Sequence, residues 1–334
     1  MGIKIGLIGL GNIINCHIDA IKKIDELCIE YVCDSDKGKM EKYMCELNCK
    51  GFTDYREMLG HCPDVVLICV PHNLHCSMAI DALKASCHVI IEKPMAVSVG
   101  ECNEMLKTAR ETGKQIIVAE TAGFQPGAVE TGRRYKAGGL GRFFTGSIIN
   151  ERFYFNDERP EWFLNSHMSG GGMFSNIGLH RLAIARACLP GLVPKSVCAS
   201  VNYVREYEVE ACTAAIVKYT EGGSMLYEEV GYFPQPEWLN TGTHFIFEDG
   251  IVTWDKKNWY MTTRRGKQYE ERLESLGNLY EMVYYNVLCA AQGEEYSPRA
   301  WEHGVDVSIA QGAYASSARG TEIRLDSSEW SITG

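Results

Sequence analysis

The chain has 334 residues, room for two domains at about 100–200 residues each, and its 46% hydrophobic and 23% charged content excludes a disordered chain. At this length a large core forms without disulfide or metal staples. The net charge of −10, with basic residues scattered in pairs such as Arg133-Arg134 and Arg264-Arg265, excludes the concentrated basic face of a nucleic-acid binder.

No apolar run approaches the roughly 18–20 residues of a membrane-spanning helix, so no membrane partner is expected. The first residues run directly into a strand pattern and carry no signal-peptide signature, so a cytoplasmic location is expected. The 14 cysteines are dispersed, without a C-x-x-C pair, and Cys45 and Cys49 have no second pair at finger spacing. Cys33, Cys69, Cys198 and Cys289 fall inside apolar patterns, which reads as reduced cysteines used as small buried hydrophobes.

In chain order, residues 3–8 form an apolar strand ending in glycines. Ile14, Ile18 and Ile21 recur at helical spacing. Strands follow over Ile29 to Cys33, Val65 to Val70, His88 to Ile91 and Gln115 to Ala119, with a helix over Leu74 to Ser86. Ser98 and Glu101 have capping-box spacing for a further helix that stops at Gly113. Alternating strands and helices, with strands apolar on both faces, predict a doubly wound parallel α/β domain over residues 1–120.

Beyond residue 120 the rhythm changes. A helix over 126–137 precedes strands at Arg142 to Tyr154 and Ser196 to Tyr203. Ala211 to Tyr219 and Ser224 to Gly231 predict one hairpin, and His244 to Phe247 and Ile251 to Trp254 a second, joined through Asp249-Gly250. Helices over 277–291 and 301–318 close the chain. Residues 121–334 therefore read as an α+β domain with a large, mainly antiparallel sheet. Trp238 and Trp254 read as core, and Trp162 as either core or ligand wall.

Four motifs carry chemistry. Gly9-Leu10-Gly11-Asn12-Ile13-Ile14 follows the first strand and opens a helix, the arrangement that seats a pyrophosphate on free helix N–H groups. Ile14 stands where the third glycine of G-x-G-x-x-G would be. Asp34 ends the next strand about 20 residues on, where a carboxylate binds the ribose hydroxyls of NAD and repels the extra phosphate of NADP. The neighbouring Ser35, Lys37 and Lys39 leave NADP possible. Val70-Pro71-His72-Asn73-Leu74-His75 and Glu92-Lys93-Pro94 both lie at carboxyl ends of parallel strands, where open α/β sheets bind ligands. His72 and His75 read either as ligand contacts or as turn and capping residues. They lie beside Cys76, but no carboxylate completes a metal set, so no metal is expected. Lys93 reads as a proton carrier or as one half of a surface ion pair. Ser169-Gly170-Gly171-Gly172 precedes a helix in which Asn176 and His180, four apart, share a face. The glycine run allows close approach to a ligand, and a histidine suits acid–base work near neutrality.

Together these motifs resemble the Gfo/Idh/MocA oxidoreductases (glucose–fructose oxidoreductase, inositol dehydrogenase and relatives) over nearly the whole chain. The resemblance extends to the closing helix and strand between Ala310 and Arg324. It implies an NAD(P)-dependent dehydrogenase acting on a secondary hydroxyl of a sugar, polyol or inositol. Lys93 and His180 are then the catalytic residues. Gly9, Gly11, Asn12, Ile13, Asp34, Val70, Pro71, His72, His75, Glu92 and Lys93 would hold the cofactor. Asn176, His75, Trp162, Arg159, Asn165 and His167 would meet the carbohydrate. The open sheet face would form a homodimer or homotetramer. The family often has Asp where this chain has Asn176, an acidic residue where it has Ala183, and Asn where it has His72. The same residues would also serve a redox-neutral enzyme that cleaves or isomerises a glycoside through a transient ketone. A non-catalytic NAD-binding sensor is the third reading.

Overall fold

The computed structural model describes residues 2–156, 158–232 and 242–333; Trp238 lies outside them. Two compact units divide the chain. The first comprises Met1–Glu120, Asn278–Gly304 and Ile332–Gly334; the second comprises Thr121–Gly277 and Val305–Ser331. A single cut at residue 120 therefore differs from the packing. Residues 278–304 return to the first unit, a long-range association that no local pattern announces.

In the first unit the strands are β1 (Ile3–Ile8), β2 (Leu27–Cys33), β3 (Lys50–Phe52), β4 (Val65–Ile68), β5 (His88–Glu92) and β6 (Ile116–Ala119). They form one sheet in the order β3-β2-β1-β4-β5-β6, every pair parallel. Between them run α1 (Ile14–Ile21), α2 (Lys37–Leu47), α3 (Tyr55–Leu59), α4 (His75–Lys84) and α5 (Val99–Thr112). All four β4 residues are fully buried, as the two-faced apolar run requires, each contributing about 1.5–3 kcal/mol on burial. Ser98 caps α5 through Glu101 N–H at 3.2 Å, and Gly113 closes it at φ +68°. The reciprocal Glu101 carboxylate takes the N–H of Val97, one residue earlier than a strict capping box places it. The late helix α9 (Leu279–Gln292) packs on α1 and β6 in this unit.

The second unit holds α6 (Pro126–Lys136), β7 (Phe143–Glu151), α7 (Ser166–Ser169), α8 (Leu179–Cys188), β8 (Pro194–Tyr203), β9 (Glu210–Tyr219), β10 (Ser224–Val230), β11 (Thr243–Phe247) and β12 (Gly250–Trp254). It continues with β13 (Asn258–Thr263), β14 (Gln268–Arg272), part of α10 (Ala300–Arg319) and β15 (Ile323–Arg324). The nine-stranded order is β14-β13-β12-β11-β7-β10-β9-β8-β15. Both expected hairpins form, β9–β10 and β11–β12. One pair, β10–β7, is parallel. Its core includes Trp259, Tyr227, Phe245 and Phe174, all fully buried, and Trp254 packs partly buried against it.

All fourteen cysteines are free. Cys33 is buried, with its thiol pushed up to about 12 by desolvation, but Cys198 is exposed on the sheet, and Cys16, Cys28, Cys45 and Cys62 are exposed as well. Cys198 lies on an apolar strand, and the strand's outward face carries it into solvent. The reading of cysteines as buried hydrophobes therefore holds for only part of the set. No described helix is long and apolar enough to cross a membrane. Among the described residues no group of three or more His, Cys, Asp or Glu is placed to hold a metal.

Candidate active site

In the first unit the carboxyl ends of β2, β1, β4 and β5 lie side by side, and successive strands are added on one side of β1 up to β3 and on the other from β4 onward. Such a switch point, where the order of the parallel strands reverses, opens a crevice for a ligand. Gly9, Asp34, the Val70-Pro71 turn and Lys93 all follow these strand ends.

Gly9 is fixed by the fold itself. Its φ is +86°, and a Cβ there would stand 2.2 Å from the Cys69 carbonyl oxygen. Gly11 differs: a Cβ there would meet nothing within 4 Å. Its lack of a side chain therefore leaves space open beside the start of α1, where the N-cap residue Ile13 supplies no side-chain acceptor. Uncapped N–H groups and an open approach fit a pyrophosphate. Ile14, in the third-glycine position, is fully buried in the core.

Asp34 braces this turn. Its Oδ2 accepts from Leu10 N–H and its Oδ1 from Asp36 N–H, both at 2.8 Å. Each carboxylate oxygen keeps a second lone pair for a ribose hydroxyl. Lys37 lies 3.6 Å from Glu41 and Lys39 4.0 Å from Asp36, both pairs exposed to solvent.

His75 is fully buried, with Nδ1 2.8 Å from Pro94 O and Nε2 3.0 Å from Val70 O. Burial lowers its pKa, against the two carbonyls and Glu92, which favour the charged ring. The side chain thus ties the Val70 turn to the turn after Lys93. The structure places it on backbone rather than on open space. His72 is also buried, its ring edge-on to that of His75 at 5.5 Å.

Lys93 is half-buried immediately past β5. Its backbone N–H donates to Glu92 Oε2 at 3.1 Å, and Glu92 Oε1 meets His17 Nε2 at 2.9 Å. Sequence reasoning missed His17. The signal was present, since His17 falls on the Ile14–Ile18–Ile21 stripe of α1, facing inward.

In the second unit Asn176 sits in a π-turn over Phe174–Gly178 that leads into α8. It is 3% exposed, and its Nδ2 donates to the Tyr154 hydroxyl at 3.1 Å. Arg159 lies 3.6 Å over the Tyr154 ring, and its Nε donates to Tyr154 O at 2.5 Å. Trp162 stacks on Phe163 at 3.7 Å. Asn165 caps α7 through Met168 N–H, and His167 is exposed. His180 is half-buried in the first turn of α8. Asn176 and Arg159 therefore share Tyr154, while Asn165 is used by its own helix.

The glycine run has a structural occupant. The buried Glu210 carboxylate accepts from Gly172 N–H at 2.5 Å, Phe174 N–H at 2.7 Å and the Tyr314 hydroxyl at 2.8 Å. Tyr314 has one proton, and the charged acceptor is the stronger partner, so the Ser175 N–H and hydroxyl donate to Tyr314. A Cβ at Gly172 would stand 2.4 Å from Glu210 O. Gly172 is thus required by the close approach of β9, where the sequence suggested a ligand.

Glu229 is a second buried carboxyl. Its Oε2 accepts from Asn150 Nδ2 at 2.6 Å, and Arg181 Nε lies 3.8 Å from Oε1. Burial raises its pKa to about 8 despite Arg181 and Asn150. The folded protein therefore holds a proton that the unfolded chain releases near the ordinary value of 4.5, and stability falls as pH rises across that window. Glu229→Gln removes this loss. Urea unfolding at pH 5 and pH 8 is expected to show the variant gaining on the parent at the higher pH, by on the order of 2 kcal/mol. A difference independent of pH would show that Glu229 ionises normally.

Residues 3–120 match the family described as "Oxidoreductase family, NAD-binding Rossmann fold", and residues 130–240 match the "GFO/IDH/MocA C-terminal domain". The chain belongs to the Gfo/Idh/MocA oxidoreductase family. Among curated members, a D-glucoside 3-dehydrogenase of Escherichia coli K12 is 30% identical over 58% of this chain and 56% of its own length. A 1-carboxy-3-chloro-3,4-dihydroxycyclohexa-1,5-diene dehydrogenase of Comamonas testosteroni is 26% identical over 71% of this chain and 61% of its own. The matched part thus spans little more than half of these Gfo/Idh/MocA relatives. A levoglucosan dehydrogenase solved with NADH and levoglucosan superposes with TM-score 0.86 at 15% identity, covering 98% of this chain and 100% of that one, a likeness of fold.

Proposed function

We propose that this Gfo/Idh/MocA protein is a cytoplasmic NAD-dependent dehydrogenase that moves a hydride between nicotinamide and a secondary hydroxyl of a sugar, polyol or inositol. The observation that carries the reading is the contrast at the glycine turn. Gly9 is demanded by packing, while Gly11 is demanded by nothing in the protein and guards an uncapped helix start. Asp34 at the neighbouring strand end, whose carboxylate would repel the extra phosphate of NADP, supports NAD over NADP. The curated relatives that act on glucosides and diols support the substrate class.

The nicotinamide supplies the hydride acceptor when bound. Lys93 takes or returns the proton of the reacting hydroxyl. His180 is the second acid–base group by family resemblance. Asn176, held to Tyr154 through its Nδ2, is the proposed polar contact that orients the substrate. Gly11 and the first turn of α1 hold the pyrophosphate, and Asp34 the ribose. Val70, Pro71, His72 and His75 shape the turn beside it, with Asn12 and Ile13 at the helix start. Trp162, Arg159, Asn165 and His167 are the proposed carbohydrate contacts. The outer face of the second sheet, where Ile216 and Leu226 pair across strands and Ile251 is 46% exposed, is the proposed homodimer or homotetramer contact.

The test is Gly11→Ala. A fluorescence titration with NADH is expected to show Kd raised about tenfold or more, with the thermal midpoint unchanged, because the methyl occupies the ligand's space and touches no protein atom. Unchanged affinity would move the nucleotide elsewhere.

A further inference from the structure

A buried polar chain runs through the first unit to the residue beside Lys93. The Tyr284 hydroxyl of α9 lies 2.8 Å from His17 Nδ1, and His17 Nε2 lies 2.9 Å from Glu92 Oε1. Glu92 Oε2 accepts the Lys93 N–H at 3.1 Å. His17 and Tyr284 are fully buried, and the Glu92 side chain is 13% exposed. The rings of Tyr280 and Tyr284 stand edge-on to His17 at 4.8 and 5.9 Å.

Every link pairs a donor with an acceptor. Burial holds the Tyr284 hydroxyl far above its ordinary pKa, so it keeps its proton and can donate to Nδ1. Nε2–H then donates to the carboxylate, and the carboxylate accepts the backbone N–H. Three apolar side chains would fill the same volume without the cost of burying polar groups. What the chain secures is at its end. The β5–β6 ladder stops at Glu92↔Ala119, so Lys93 N–H lies beyond the last paired residue. Pro94 follows and has no N–H to give. The Glu92 carboxylate therefore holds the backbone N–H of Lys93, as His75 holds the carbonyl of the next residue, Pro94.

We propose that His17 and Tyr284 are positioning residues for Lys93, acting through Glu92, so that α9 completes the catalytic strand end from about 190 residues away in sequence. The functional half of this inference rests on the reading of Lys93 as the proton carrier; the structural coupling does not.

The coupling is read without substrate. The full-length protein is acetylated with limiting isotope-coded acetic anhydride, and each lysine's labelling rate is measured by mass spectrometry. Tyr284→Phe deletes one hydroxyl, and His17→Asn removes the bridge. Both are expected to raise Lys93 labelling about threefold or more, as its turn loosens, while exposed Lys37 and Lys42 stay at parent rates. An unchanged Lys93 rate, or an equal rise at all lysines, overturns the coupling. Should His17→Asn fail to fold, Tyr284→Phe decides alone. With a turned-over substrate, Tyr284→Phe is expected to lower kcat roughly tenfold with the Kd for NADH unchanged. A fall in thermal midpoint with kcat intact would make the chain merely structural. Lys93→Met run alongside separates the two ideas: if it turns over normally, the catalytic reading falls while the labelling result stands.

Discussion

Lys93→Met is expected to lower kcat by about 10²–10⁴-fold, the range over which a positioned acid–base group contributes to proton transfer. Methionine keeps the length of the stem and removes only the amine, so packing at the end of β5 is preserved. The cofactor contacts proposed at Gly11 and Asp34 are untouched, so the Kd for NADH should change far less than kcat. A fall in kcat that exceeds the change in nucleotide affinity marks an interaction made in the transition state. Steady-state turnover and a fluorescence titration on the same preparation check this. A variant retaining turnover within about tenfold would remove Lys93 from the chemistry.

Glu210→Ala is expected to destabilise the second unit by about 3–5 kcal/mol in urea unfolding. The carboxylate is 1% exposed and takes three donors: Gly172 N–H, Phe174 N–H and the Tyr314 hydroxyl. Each loses its acceptor in the alanine variant, at about 1–3 kcal/mol per buried unpaired group. Burial raises the pKa of Glu210 against those hydrogen bonds, so part of the loss is offset by no longer burying a carboxyl. Glu210→Gln keeps one acceptor oxygen and turns an amide N–H₂ toward a backbone N–H, so an intermediate loss is expected. Equal stability of the parent and Glu210→Ala would show that the glycine run holds itself in place.

The first unit was largely legible because its signals are local. Val65 to Ile68 is apolar on both faces, so only a covered parallel sheet accommodates it. The observed β4 ends two residues before the expected Val70 because Cys69 and Val70 already belong to the turn around Gly9. The hairpins of the second unit were read from alternation and from Asp249-Gly250. Strand β14 escaped because Gln268–Arg272 is exposed throughout and carries no alternation; β13 does alternate, with Trp259 and Met261 inward, and sequence reasoning missed it.

The glycine run misled for a physical reason. A glycine that admits a ligand and one that admits a neighbouring strand look alike in sequence, and only the position of β9 shows that Glu210 fills the space. The same ambiguity separates Gly9 from Gly11 in the nucleotide turn. His75 was read as a ligand contact or a capping residue, and its ring nitrogens lie on two carbonyls that local pattern cannot locate. His17, Tyr284, Glu210 and Glu229 were invisible as a set because each finds its partner across more than 30 residues, or, for Tyr284, across most of the chain.

The most direct test of hydride transfer incubates the parent protein with NAD and a panel of inositols, aldoses, uronic acids and glycosides. Reduced-nicotinamide absorbance and substrate loss are followed together. The expected result is reduced nicotinamide accumulating in step with loss of one carbohydrate class. Substrate loss without reduced nicotinamide would contradict net dehydrogenation and favour a transient-ketone enzyme, and neither change in a protein that binds NAD would contradict catalysis on these substrates altogether.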